Sequence, residues 1–112
     1  GHIYGWMSPT YIAEISQTDE WVGQILAALP ENTVIIVSSD HGGHGLVHGS
    51  NIPVDMTIPW IIAGPGVLQN HELTTPITTT DTAATALYVF GLSLPPDAPG
   101  RVVYEAFGKT GP

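Results

Sequence analysis

The sequence predicts an α/β fold built on a mostly parallel sheet, and three patterns support this prediction. The unbroken β-branched run Thr33–Ser38 is typical of a strand buried on both faces of a parallel sheet. Apolar residues recur at helical spacing over residues 9–29, and a second apolar run covers Ile58–Ala63. A helix beside the strand that it feeds is half of a βαβ unit, from which α/β domains are built.

Local signals predict where the first elements begin and end. Ser8 is a suitable N-cap and Pro9 a suitable first helical residue, so a helix is predicted from Pro9 to Leu29, ending at Pro30. Pro59 has no backbone N–H, and we therefore expect it at the start of a strand or on a sheet edge.

The second half of the chain has weaker signals. Residues 42–57 are glycine-rich and polar and are predicted to form a loop. One short strand is predicted near Leu73–Ile77. Asp81 can cap a helix that runs to Phe90 and ends at Gly91. The segment 101–107 closes the chain and its type stays open.

Composition restricts the possible functions. The chain has 112 residues and a net charge of −8, with Arg101 and Lys109 as its two basic residues. This charge argues against binding to nucleic-acid polymers or to anionic membrane surfaces. The absence of cysteine excludes disulfides and thiolate zinc sites. No apolar run reaches the length of a membrane span.

The residues after the first predicted strand carry the strongest chemical signal. Asp40 and His41 fall at the carboxyl end of the strand, and His48 comes seven residues after His41. Ligands of α/β proteins bind just beyond the carboxyl ends of the strands. A carboxylate with imidazoles favours zinc over calcium, which prefers oxygen ligands. The alternative is that Asp40 and His41 only cap the turn through local hydrogen bonds.

Several spaced motifs, taken in order, resemble the C-terminal part of the alkaline phosphatase superfamily. The chain is most similar to the type I phosphodiesterase/nucleotide pyrophosphatase and sulfatase-like branch. The motifs are Gly1-His2, Gly23–Leu26, Ser39–Gly43, His48-Gly49, Gly64–Gly66 and Asp81–Thr85. The resemblance implies a three-layer α/β sandwich, of which residues 1–112 would form a single partial domain.

The resemblance also implies a site with two divalent cations, for which zinc is expected. The implied metal ligands are His2, Asp40, His41 and His48, and His44 competes with His48 for its role. Two cations about 4 Å apart can clamp the attacking and leaving oxygens of an in-line displacement. The Thr or Ser nucleophile is expected upstream of this chain, which then holds no catalytic nucleophile and would be inactive alone.

The reaction implied by the resemblance is hydrolysis of phosphoric esters, either monoesters or diesters. Sulfatases of the superfamily typically have Asn where this chain has His41, which favours phosphate over sulfate. A sulfatase, a phosphonate hydrolase or a phosphomutase remains an alternative, as does a non-catalytic metal-binding module. We expect a small-molecule ester as the substrate and an extracytoplasmic or secreted location, while the oligomeric state stays open.

Overall fold

A computed structural model describes residues 1–111 of the chain. Its first helix, α1, spans Pro9–Ala28, close to the predicted range. Ser8 is the N-cap, and its hydroxyl accepts a hydrogen bond from the backbone N–H of Tyr11 at 3.2 Å. No residue of α1 is buried, and the apolar side chains along it remain substantially exposed: Ile12, Ile15, Trp21, Ile25 and Leu26.

The sheet of the described residues has two strands, β1 (Ile35–Ser38) and β2 (Trp60–Ala63). The strands run antiparallel. The Ser38 hydroxyl at the end of β1 donates to the carbonyl of Pro59, just before β2. Gly64, just after β2, lies against Val34, just before β1. The described residues thus combine helices with a small sheet, but the parallel order predicted for that sheet is wrong for this pair of strands, and the three-layer sandwich stays a prediction.

The burial predicted for the first strand is wrong for this chain. Residues 35–37 are half-buried rather than buried on both faces. The connection from β1 to β2 contains only the four-residue helix α2 (Pro53–Met56) and brings the chain back beside the end of β1. A parallel neighbour would have required a crossover to the other end of the strand. Pro59 directly precedes β2, as predicted.

Helix α3 spans Thr79–Val89, and Asp81 is its third residue rather than its cap. The cap is Thr78, whose backbone N–H donates to the Asp81 carboxylate at 2.8 Å. This is the carboxylate half of a capping box. A 3₁₀ helix covers Tyr104–Phe107, a segment whose type the sequence left open.

The short strand predicted near Leu73–Ile77 does not form. The backbone N–H groups of Thr74 and Thr75 donate instead to the two carboxylate oxygens of Glu105, both at 2.8 Å. A side chain far away in the sequence therefore satisfies donors that a neighbouring strand would otherwise have used.

The chain divides into two compact units. Unit 1 consists of residues 1–30 and 38–59, and unit 2 of residues 31–37 together with the described residues from 60 onward. Unit 2 contains a small core of Ala84, Val103 and Ala106. Among residues 1–111, no helix combines the length and the apolar character that spanning a membrane would require.

Candidate metal centre

Three histidines of unit 1 come together on loops. His2 lies in the turn before α1, His41 follows the end of β1, and His48 lies further along the glycine-rich loop. One ring nitrogen from each lies within 4.8 Å of the others. The rings of His41 and His48 stack with centroids 4.0 Å apart, and the His2 ring meets that of His48 edge-on at 4.9 Å.

Trp6 forms an aromatic floor beside these imidazoles. Its ring centroid lies 4.9 Å from that of His2, 6.2 Å from that of His41 and 5.9 Å from that of His48. The indole packs so closely on Gly43 that a Cβ there would lie 2.3 Å from Trp6 Cε2. The absence of a side chain at position 43 therefore allows the loop to lie against the indole. Trp6 itself is half-buried.

A backbone hydrogen bond orients the His41 ring. Its Nδ1 lies 2.6 Å from the carbonyl oxygen of Gly42. Because a carbonyl only accepts, Nδ1 carries the hydrogen, and the Nε2 of a neutral ring keeps its lone pair. An imidazole held through one nitrogen in this way can offer the other to a metal.

Asp40 lies next to the cluster without joining it. Its side chain is 86% exposed, and one carboxylate oxygen lies 3.5 Å from His41 Nε2. The other oxygen accepts the backbone N–H of His41 at 2.9 Å. Desolvation acts to raise the pKa of Asp40, but this hydrogen bond and the nearby His41 ring lower it below its ordinary value.

The loop that carries His41 and His48 is tied to α2. The backbone N–H groups of Gly42 and Gly43 donate to the carbonyls of Asp55 and Val54, at 2.8 and 3.1 Å. The buried Asp55 carboxylate accepts from His44 Nδ1 at 2.7 Å. This bond lowers the pKa of Asp55 below its ordinary value, although desolvation opposes the shift.

His48, and not His44, lies beside His2 and His41. The order of the motifs favours His48 for the ligand role, whereas no sequence pattern indicates a role for Asp55. The Gly42-Gly43 pair after His41 is the one sequence signal of close packing in this loop. It does not indicate that Trp6 and α2 are the groups that pack there.

The donor set fits a tetrahedral or more highly coordinated transition metal. Zinc–imidazole bonds of about 2.0–2.1 Å place ligand nitrogens roughly 3.4 Å apart. The three rings therefore need only modest rotation to share one ion, since their nitrogens already lie within 4.8 Å of one another. Imidazoles are good ligands for zinc, copper, iron and nickel.

Comparison with known proteins places these residues in a family context. Residues 1–59, which include the three clustered histidines, match the family described as type I phosphodiesterase / nucleotide pyrophosphatase. A Caenorhabditis elegans protein named as a homologue of the extracellular sulfatase Sulf-1 is 32% identical over 81% of this chain. Arylsulfatase K of Mus musculus is 29% identical over 80% of it.

The matched region is a small part of each relative. The chain covers 14% of the length of the Caenorhabditis protein and 18% of that of the mouse protein. It also matches the crystal structure of a protein assigned as a sulfatase from Bacteroides thetaiotaomicron. That match has a TM-score of 0.74 and 23% identity, and covers 91% of this chain and 25% of the other. At this identity the likeness concerns the fold alone.

Proposed function

Because the chain belongs to the type I phosphodiesterase / nucleotide pyrophosphatase family, within the alkaline phosphatase superfamily of hydrolases, we propose that it forms part of a metal-dependent sulfatase active site. The observation that carries the proposal is the convergence of His2, His41 and His48 in a chain whose curated relatives are named sulfatases. The superfamily is typically metal-dependent.

The proposed ligand set is His2, Asp40, His41 and His48, with zinc as the first candidate ion and room for two divalent cations in the complete site. The chemistry of the donors supports zinc, since all four groups are common zinc ligands. When bound, such cations supply Lewis acidity that withdraws charge from the oxygens of the ester in the transition state.

The residues of this chain would act mainly by positioning. The Gly42 carbonyl holds His41 by Nδ1, so that its Nε2 is available as a ligand. The exposed Asp40 carboxylate, 3.5 Å from that nitrogen, can turn toward an ion that His41 binds. The Trp6 indole lies beside all three imidazoles and would keep water from that side of a bound ion, which would strengthen electrostatic interactions there.

A nucleophile is still needed, and we propose that a part of the protein outside these residues contributes it. The chain covers less than a fifth of the length of the two curated relatives, which leaves most of a catalytic domain to other segments. On this proposal residues 1–112 form one partial domain of a three-layer sandwich with a mostly parallel sheet.

Hydrolysis of phosphate esters is the second candidate. The family match over residues 1–59 favours it, since that family is described by phosphodiesterase and pyrophosphatase activity. The names of the curated relatives support sulfate esters as the first candidate, whereas His41 at its position favours phosphate esters. For the substrate we propose a small-molecule ester, and for the location an extracytoplasmic one, because two relatives are named as homologues of extracellular sulfatases.

Two experiments test the proposal. The first is zinc titration of this chain in competition with a chromophoric chelator, beside the His41→Ala/His48→Ala double variant. We expect wild-type binding and at least a hundredfold weaker binding by the variant. Equal binding by both would contradict the metal centre.

The second experiment compares hydrolysis of an aryl sulfate, an aryl phosphate and an aryl phosphodiester by the full-length protein that contains this chain. We expect the highest kcat/KM on the sulfate. A preference for the phosphodiester would replace the first candidate with the second, and no metal-dependent activity on any of the three would overturn both.

A further inference from the structure

Asp55 is a buried carboxylate for which the proposed reaction has no direct use. It lies in α2 with 2% of its surface exposed. Each carboxylate oxygen accepts one hydrogen bond, from His44 Nδ1 at 2.7 Å and from the backbone N–H of Ser50 at 2.8 Å. Burying a carboxylate is costly unless its oxygens are hydrogen-bonded, and both oxygens of Asp55 accept a hydrogen bond.

The two partners of Asp55 lie on either side of a proposed ligand. His44 precedes His48 in the loop, and Ser50 follows it two residues later. One carboxylate therefore holds the loop at both ends of the short segment that carries the His48 ring.

The backbone of α2 holds the other end of the loop. The carbonyls of Asp55 and Val54 accept from the N–H groups of Gly42 and Gly43, directly after His41. A Cβ at Gly42 would lie only 2.2 Å from the Val54 carbonyl oxygen, so the two segments are in close contact. Two backbone bonds and two carboxylate bonds thus connect α2 to the segment that bears His41 and His48.

The side chain of His44 takes part in this anchoring and not in the histidine cluster. A carboxylate only accepts, so His44 Nδ1 donates to Asp55, and the ring is held in one orientation. Its side chain is 44% exposed, while the carboxylate beneath it is almost fully buried. The His44 ring therefore connects the exposed loop to the buried carboxylate of Asp55.

We infer that Asp55, acting through His44 and Ser50, is the positioning residue that holds His41 and His48 at the spacing required to share a cation. The inference rests on the proposed function, because its effect is expressed as metal affinity. Groups that orient metal ligands typically change metal affinity by roughly 10-fold to 100-fold when they are removed. We expect a loss in this range for Asp55→Asn, whose amide NH₂ replaces one acceptor, so that either the Ser50 N–H loses its partner or His44 must change its tautomer.

The experiment is zinc titration of the chain by chelator competition, with wild type, Asp55→Asn and Asp19→Asn measured together. Asp19 is an exposed residue of α1 in the same unit, and its substitution removes the same charge. We expect about 10-fold to 100-fold weaker binding for Asp55→Asn and wild-type binding for Asp19→Asn. Asp55→Glu, which restores a carboxylate, should recover part of the affinity.

Visible absorption of the cobalt-substituted protein separates positioning from a general loss of structure. The intensity of this absorption depends on the coordination geometry of the bound cobalt. If Asp55 affected only stability, the geometry in the cobalt-saturated variant would be unchanged. We expect Asp55→Asn, when saturated with cobalt, to give an altered spectrum. Amide exchange of residues 101–106 in unit 2 should stay as in wild type.

A milder variant keeps the test decisive if Asp55→Asn does not fold. His44→Ala removes one anchoring bond and none of the proposed ligands, and should weaken zinc binding about 10-fold. If wild type binds zinc no better than His41→Ala/His48→Ala, the proposed function fails. If wild type binds but Asp55→Asn, or His44→Ala in its place, binds equally well, the inference alone is overturned.

Discussion

The two units of this chain are ordered internally by different means. Within residues 1–111, the buried apolar side chains all belong to unit 2: Ala84, Val103 and Ala106. The buried residues of unit 1 are Gly5, Gly43 and Asp55. The unit that carries the histidine cluster is therefore organised by hydrogen bonds and close glycine contacts, whereas the other has a small apolar core.

The two units nevertheless share one feature, a buried carboxylate that accepts hydrogen bonds from backbone N–H groups. Asp55 does this in unit 1. In unit 2, Asp81 accepts the N–H of Thr78 at 2.8 Å and that of Arg101 at 2.7 Å. Desolvation acts to raise the pKa of Asp81, but these bonds lower it below its ordinary value. Substitutions in unit 1 should therefore lower metal affinity, whereas substitutions in unit 2 should lower the free energy of unfolding.

The largest effect is expected for Gly42→Ala in unit 1. The added Cβ would lie 2.2 Å from the Val54 carbonyl oxygen, so the loop must move away from α2. Zinc affinity should fall about 100-fold, at the upper end of the range for disturbed ligand support. Gly23→Ala on α1, where a Cβ meets nothing within 4 Å, is the control and should bind like wild type. Wild-type affinity in Gly42→Ala would show that the loop does not depend on this contact.

The next effect is expected for Thr85→Val in unit 2. Thr85 is fully buried, and its hydroxyl accepts the backbone N–H of Val103 at 3.0 Å. An unsatisfied buried donor costs about 1–3 kcal/mol, which urea unfolding should detect as a lower free energy of unfolding. Thr85→Ser keeps the acceptor and should lose less. Zinc affinity should stay unchanged in both variants, and a joint loss would contradict the separation of the units.

A smaller effect should depend on pH and involve Glu105. Hydrogen bonds from Thr75 and Thr74 hold the pKa of Glu105 well below its ordinary value of about 4.3. Because the folded-state pKa is the lower one, this contribution to stability is fully present above the unfolded-state pKa. It is lost as pH falls below about 4 toward the folded-state pKa.

Urea unfolding across acidic pH checks this prediction. Glu105→Gln cannot ionise, so its free energy of unfolding should fall less steeply below pH about 4 than that of wild type. The exposed Glu72→Gln is the matched control and should follow wild type. Parallel curves for wild type and Glu105→Gln would refute the assignment.

The smallest effect is expected for Ser8→Ala at the start of α1. Loss of the N-cap hydroxyl typically costs about 1 kcal/mol of helix stability. Far-UV circular dichroism during urea unfolding should detect it, with the exposed Ser16→Ala in mid-helix as the control. An unchanged midpoint would mean that the cap contributes little to this exposed helix.

Local signals predicted the elements that depend on neighbouring residues. Ser8 and Pro9 located the start of α1 because a cap and a first-turn proline act within a single turn. The apolar runs located β1 and β2. The predicted strand near Leu73–Ile77 was wrong because Glu105, some thirty residues later, takes its donors. A pattern of neighbouring residues gives no information about a contact between residues so far apart in the sequence.

The candidate site shows the same difference between residues that local patterns identify and residues that depend on long-range contacts. Residue type and motif order identified His2, His41 and His48, which the structure brings together, although metal binding by them stays a prediction. Asp55 was not identified, since an isolated carboxylate after Pro53-Val54 has no periodicity and no motif. Its importance arises only when the loop folds back onto α2.

The indole beside the imidazoles has an optical consequence. Trp6 lies about 5–6 Å from all three rings, so an open-shell ion held there would quench its fluorescence. Zinc, with a filled d shell, would leave most of the emission intact. With Trp21 and Trp60 replaced by phenylalanine, this one side chain would report which kind of ion occupies the centre, in real time and without any added dye.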